Sequence, residues 1–336
     1  MNGDLSNELT VIIPIDLRFR HRDIIKKASL FARHASKAGV RVIFGVSSPN
    51  DKVRREFLSE FEFYTNVVVT LSTTCTKNVN SSMLRNLAFE KCETKYIALL
   101  DVDIFPDFLL LGKYLKYLSD SIKPFYILPC LYLTQSASVS MMKGRVTTET
   151  LKCKFFSYSR KEFLHLACPS SLTLMHAEDY LLLNGFDINF EGHGYEDFDF
   201  LIRLSRLHNL LEDKQDLFID KTSRSPLFSV GFRKYLGKLC FEQLANKDIA
   251  FHLFHPKDGN SSYHKLRAKN KIIFMKKYAD NNIISVNEEF LIVSFLEYCQ
   301  NNNFDILDYS ILFDNKPGHI DRYDTFRRRI KFLFNE

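Results

Sequence analysis

The order of elements predicts an α/β protein built on a mixed, mainly parallel sheet, with a helical C-terminal extension. Two observations carry this. Short apolar runs alternate with stretches of helical periodicity through residues 10–100, the pattern of parallel strands covered on both faces. Beyond about residue 257 the alternation stops and only helical spacing is left. The first strand is residues 10–15, ending at Asp16. From Asp23, the apolar positions Ile24, Ala28, Phe31 and Ala35 recur at helical spacing, and Gly39 closes that helix. Residues 40–46 form the next strand, 54–61 a helix and 66–71 a third strand. Met83, Leu84, Leu87 and Ala88 mark a helix ahead of the strand at 96–100. After Phe105 the texture changes, with Pro106, Pro124 and Pro129, and the polar segment 136–150 reads as a surface insertion or mobile loop. Ligands on sheets of this kind bind beyond the carboxyl ends of the strands, which directs attention to Asp16 and to the residues just after Leu100.

Composition narrows the class. A chain of 336 residues that is 46% hydrophobic can bury a substantial core, as one large domain or two small ones. Its net charge of +6 suits a phosphate-bearing substrate or an anionic membrane surface, and no nucleic-acid signature accompanies it. Seven cysteines without a Cys-x-x-Cys pair suggest reduced thiols in a cytoplasmic protein rather than a disulfide framework or zinc site. Asp4 and Glu8 sit where the apolar core of a signal peptide should begin. Residues 124–142 carry two prolines and a serine-rich half, so they are not a membrane span.

Three constellations carry chemistry. Asp101 and Asp103 follow the strand at 96–100, and alternation along an extended chain points both side chains to one side. Such a pair can share a divalent cation, or be no more than a solvated acidic strand end. A phosphatase of the haloacid dehalogenase type would continue with Gly-Thr or Gly-Val, whereas this chain continues Ile104-Phe-Pro106. The second constellation is Asn184-Gly-Phe-Asp187 followed by Gly192-His-Gly-Tyr-Glu-Asp-Phe-Asp199. Three acids in four positions are costly to bury without a purpose, and a helix opening at Glu196 would favour its charge and that of Asp197. Phe198, Leu201, Ile202 and Leu204 would then face the core. The third is Phe251-His252-Leu-Phe-His255-Pro256, where an imidazole can complete a metal site. His255 is the first choice as ligand and His252 the second. In an extended stretch the two point to opposite faces, so joint binding needs a turn.

Together with Arg85-Asn86 upstream, these motifs resemble the GT-A fold of nucleotide-diphospho-sugar transferases, in particular the glycosyltransferase family 2 type. The acidic stretch is similar to the Gly-Trp-Gly-x-Glu-Asp-x-Asp signature of β-1,4-galactosyltransferases and chondroitin-polymerising enzymes. His193 stands where those have tryptophan, and the chain holds no Trp at all. The resemblance covers about residues 8–256. It implies a catalytic domain at 1–256, with a donor half at about 8–105 and an acceptor half at about 160–256, and a helical extension at 257–336. By it, Asp197 is the catalytic base and Glu196 a sugar contact. Asp16, Arg18, Arg85, Asn86 and Asp101 bind the donor, and His193 and Tyr195 line the acceptor. Asp103, His255 and His252 hold manganese or magnesium (Mn2+ or Mg2+).

The implied reaction is inverting transfer from a UDP-sugar to a hydroxyl of a saccharide or lipid-linked saccharide, in bacterial capsule, O-antigen, lipopolysaccharide or other surface-polysaccharide synthesis. That setting implies a cytoplasmic enzyme near other polysaccharide-synthesis enzymes, at the inner face of the membrane. Phe326, Ile330, Leu333 and Phe334 beside Arg327, Arg328, Arg329 and Lys331 could lie on such a surface, or pack as an ordinary amphipathic helix. Arg20, His21 and Arg22 could be no more than a solvated cationic loop. Two rivals remain. A sugar-phosphate nucleotidyltransferase would want a glycine-rich loop after the first strand, which residues 15–20 lack. A degenerate carbohydrate-binding or scaffold subunit is disfavoured by the joint presence of Asp101, Asp103, Glu196, Asp197 and His255.

Overall fold

The computed structural model describes residues 8–73, 78–159, 161–211, 216–221, 223, 225–256, 266–278 and 289–313. In chain order the strands are β1 (Leu9–Asp16), β2 (Arg41–Ser47), β3 (Val67–Leu71), β4 (Tyr96–Leu99), β5 (Phe125–Ile127), β6 (Cys130–Leu133), β7 (Phe163–Ala167), β8 (Thr173–His176) and β9 (Ala250–His252). The helices are α1 (His21–Ala38), α2 (Asp51–Phe61), α3 (Ser81–Phe89), α4 (Phe108–Ser119), α5 (Gln135–Met142), α6 (Thr148–Phe156), α7 (Ala177–Leu182), α8 (Glu196–Leu207), α9 (Phe232–Lys238), α10 (Phe241–Ala245), α11 (Arg267–Tyr278) and α12 (Leu291–Asn301). Short 3-10 turns cover Pro226–Phe228 and Ile306–Phe313.

The chain forms two compact units, one of residues 1–126, 171–212 and 256–279, the other of 127–170, 213–255 and 280–336. The first carries a six-stranded sheet ordered β3-β2-β1-β4-β8-β5. β1 pairs in parallel with β2 and with β4, and β2 with β3, whereas β8 runs antiparallel to β4. The strand order reverses at β1, so the carboxyl ends of β1 and β4 flank a topological switch point. β1 and β2 are buried almost throughout, as a central parallel sheet demands. α1 buries one stripe of Ile24, Ala28, Phe31 and Ala35 and ends on Gly39 at φ 68°, as its periodicity predicts.

α3 lies unusually close to this sheet. A Cβ on Gly45 of β2 would stand 2.0 Å from the carbonyl oxygen of Leu84. That approach seats Arg85 over the strand ends. Asn80 caps the helix, its Oδ1 accepting from Met83 N at 2.8 Å.

The second unit has its own three-stranded sheet, β7-β6-β9. α12 buries Leu291, Phe295 and Cys299 along one face, with Phe295 edge-on to Phe241 and Tyr309. The segment 136–150 departs from the loop expected of it. α5 occupies its start, capped by Thr134, and α6 opens at its end, capped by Thr147. The buried face of α5 is Ala137, Ser138 and Met141, and Ser138 Oγ accepts from Phe254 N at 2.7 Å. Small and hydroxylated residues on the inward face leave little hydrophobic periodicity to read.

Residues 314–336, with the basic amphipathic segment around Phe326, lie outside the described residues, as do Asp4, Cys75 and Lys77. No helix among the described residues is long and apolar enough to cross a membrane.

Gly45→Ala should lower stability by at least about 1–3 kcal/mol, because the new methyl meets backbone rather than a movable side chain. Thermal denaturation checks this, and an unchanged Tm would contradict the close seat of α3.

Candidate active site

The site is built around one buried cation. Arg85, 2% exposed, sends Nη2 to Asp101 Oδ1 at 2.8 Å and holds Nη1 3.4 Å from Asp197 Oδ1. Its guanidinium lies over the Phe186 ring, 4.8 Å from the centroid. Asp101 Oδ2 also accepts from Ser171 Oγ at 3.0 Å, a partner that no sequence pattern suggested. Burial would weaken the Arg85 charge, but Asp197, Asp101 and Glu196 outweigh it and hold the group firmly cationic.

The two acids opposite Arg85 come from the start of α8. The turn before it is left-handed at Gly192 (φ 72°), Gly194 (φ 93°) and Tyr195 (φ 76°), the last an unusual conformation for an aromatic residue. Burial, then repulsion from Asp197, pushes the Glu196 carboxyl up to about 8, with Arg85 pulling the other way. Burial also raises Asp197, to about 6, against the pull of Arg85. The 30% of the Asp197 side chain that solvent still reaches favours its ionised form over that of Glu196. Near neutral pH the pair therefore keeps one proton, on Glu196, and one charge, on Asp197. Two neighbouring carboxyls with separated affinities are the arrangement of an acid–base pair.

The third acid of the motif does different work. Asp199, fully buried, accepts from Arg203 Nε at 2.9 Å, Tyr278 Oη at 2.6 Å and Lys277 Nζ at 2.7 Å. It anchors α11. Leu201, Ile202 and Leu204 face the core as expected, but Phe198 is half-buried and Phe200 takes the inner position, stacked on Phe186 at 4.2 Å.

Asp103 belongs to a second charge cluster. Arg20 reaches it with Nη1 at 2.8 Å and Nη2 at 2.5 Å, and Lys27 Nζ lies 2.7 Å away. Lys27 is 1% exposed. The reading of Arg20 as a solvated loop cation therefore gives way: Arg20, at φ 43°, opens α1 and pairs with Asp23 and Asp103. Asp101 and Asp103 thus meet different cations. Asp16, at the end of β1, is paired with Arg18 at 2.6 Å. Asn86 ties down the 184–187 turn: Nδ2 donates to Phe186 O, while Oδ1 accepts from Phe186 N and Tyr180 Oη. Tyr195 is buried among Phe198, Phe274 and Arg267, and His193 is half-buried.

In the second unit, β9 ends at His252, and the chain turns so that the His255 ring comes to 5.5 Å from it. His252 stacks on Tyr132 at 3.9 Å, and Tyr132 on His165 at 4.0 Å. Its Nδ1 donates to the Leu253 carbonyl at 2.9 Å, which orients the ring. Imidazole nitrogens such as these are donors that manganese accepts more readily than magnesium, which favours oxygen.

The central sheet is mainly parallel, and the acids on Arg85 gather near its switch point. The family model for glycosyltransferase like family 2 matches residues 10–280, and the chain belongs to that family. Its fold is GT-A, α/β with a mainly parallel central sheet. No curated protein sequence matches the chain. Among solved structures it is similar to S. aureus TarS 1-349, with 10% identity, a TM-score of 0.39, and 59% of this chain and 55% of that one covered. The same protein in complex with UDP-GlcNAc gives 10% identity and a TM-score of 0.37, with 71% and 67% covered. The Drosophila β1,4-galactosyltransferase 7 catalytic domain in complex with xylobiose gives 16% identity and a TM-score of 0.32, with 61% and 63% covered. The chain thus spans little more than half the length of TarS 1-349 in the first of these matches.

The protonated state of Glu196 has a stability consequence. Its folded affinity is raised, so stability is greatest where it keeps its proton and falls as pH rises from the ordinary carboxylate range through about 8. Glu196→Gln should remove that loss. Melting curves at pH 5 and pH 9 should converge in the variant relative to the parent, and identical pH dependence would contradict the assignment.

Proposed function

We propose that the chain transfers a sugar from a UDP-sugar to a hydroxyl of a saccharide or lipid-linked saccharide acceptor, inverting the anomeric centre. The observation that carries this reading is the Arg85 cluster, with Asp197 ionised and partly open to solvent beside a protonated Glu196. A base must be charged when the acceptor arrives, and it must be reachable.

Asp197 takes the proton of the acceptor hydroxyl as that oxygen attacks the anomeric carbon from the face opposite the diphosphate, so an α-linked donor gives a β-linkage. Glu196, neutral, donates a hydrogen bond to a sugar hydroxyl. Asp16 and Arg18 at the end of β1 meet the nucleotide. Asp103 and His255, with His252 as the second-choice imidazole, would hold manganese or magnesium, and such an ion would supply positive charge against the departing diphosphate. His193 contributes to the acceptor side in place of the family's tryptophan. The pathway is surface-polysaccharide synthesis at the inner face of the cytoplasmic membrane.

A panel of UDP-sugars, each with manganese and with chelator, tests this. One donor should release UDP in a metal-dependent, acceptor-stimulated way, and Asp197→Asn should lower the acceptor-stimulated rate by about 10²–10⁴-fold. The rate should rise with pH through about 6 as Asp197 ionises and decline through about 8 as Glu196 loses its proton. Absence of binding to every UDP-sugar would overturn the transferase reading.

A further inference from the structure

The segment after residue 257 holds none of the acidic or histidine motifs, yet one of its helices grips the loop that opens α8. Four residues of α11, at spacing i, i+3, i+7 and i+11, form a single face: Arg267, Asn270, Phe274 and Tyr278. Tyr278 ends on the buried Asp199. Phe274, fully buried, packs against the Tyr195 ring at 5.4 Å, and the Arg267 guanidinium lies over that ring at 5.2 Å. Asn270 is the centre of the face. It is 0% exposed, and its Nδ2 donates to the carbonyls of Glu191 at 2.8 Å and Gly194 at 3.0 Å, with that of His193 at 3.5 Å.

These carbonyls belong to the turn held at positive φ through Gly192, Gly194 and Tyr195. A backbone in that conformation persists only where its surroundings over-determine it. Asn270 supplies such a constraint from the side, and Arg267 closes the space beside Gly194, where a Cβ would stand 2.4 Å from Arg267 Nη1. Asp197 comes two residues after Tyr195, so its aim depends on the turn's shape.

We infer that Asn270 is a positioning residue for attack by the acceptor, acting through the 191–195 turn on Asp197, and that α11 is thereby part of the transferase machinery. This rests on the transferase reading. The Asn270 amide bonds the carbonyls of the turn and not Asp197. Its substitution should therefore spare donor binding and impair acceptor-dependent turnover.

The test compares Asn270→Ala, Asn270→Asp and Gly194→Ala in the full chain. UDP-sugar affinity is measured by calorimetry, acceptor-stimulated UDP release by kcat and KM, and amide exchange across residues 190–198 by mass spectrometry. Misaiming the base by about 1 Å is expected to cost about a hundredfold in acceptor-dependent kcat. Donor Kd should stay within about twofold of the parent, and exchange in the turn should quicken by about tenfold, the loss of one hydrogen bond's worth of protection. Asn270→Asp should be worse than Asn270→Ala, since an isosteric carboxylate faces three carbonyl oxygens, and Gly194→Ala should reproduce the kinetic pattern by a different route. Unchanged exchange and kcat would overturn the inference. So would a parallel fall of donor affinity, kcat and Tm, which would mark Asn270 as merely structural. If the parent releases no UDP from any donor while the turn still loosens in the variants, the transferase reading fails and the constraint on the turn stands.

Discussion

The acids at the start of α8 depend on a guanidinium that cannot leave. Arg85 sits inside the protein because α3 is drawn onto β2 at Gly45, and there it must be neutralised. A buried unpaired charge costs several kcal/mol, on the order of 3–5 when one partner is removed. The acids that meet this demand come from the end of β4 and from the start of α8, two places far apart in the chain. The cation thus organises the site as much as it stabilises it. Because Arg85 cannot satisfy Asp101, Asp197 and Glu196 together, one carboxyl keeps a proton, and the more buried Glu196 does so.

Asp103, at the end of the same strand as Asp101, is held independently by Arg20 and Lys27. Asp101 and Asp103 are thus held on different cations, and only Asp101 shares its cation with Asp197. The cost is a buried lysine, tolerable because Asp23 and Asp103 both face it.

Much of this was legible in the residues. The alternation from Thr10 to Leu100 marked the parallel strands and their helices because each buries a simple apolar face. Glu196 was readable as a helix start because glycines precede it and an apolar stripe comes after it. The partners were not legible. Arg20 and Lys27 find Asp103 across 83 and 76 residues, and no local pattern encodes such a pairing. Asn86, expected beside the donor, spends its amide on Phe186 and Tyr180. α5 was hidden because its inward face is Ala, Ser and Met. The α11 face was hidden for a related reason: its central position is Asn270, a polar residue in a stripe where periodicity looks for apolar ones.

The most direct test of the central role of Arg85 is the pH dependence of acceptor-stimulated UDP release in Arg85→Met and Arg85→Lys beside the parent. Removing the cation should move the acidic limb upward from about 6, because Asp197 then ionises against burial and Asp101 alone, and Arg85→Lys should restore part of the shift. An acidic limb that stays in place in Arg85→Met, with a folded protein that still binds donor, would contradict the claim that Arg85 holds Asp197 in its charged form.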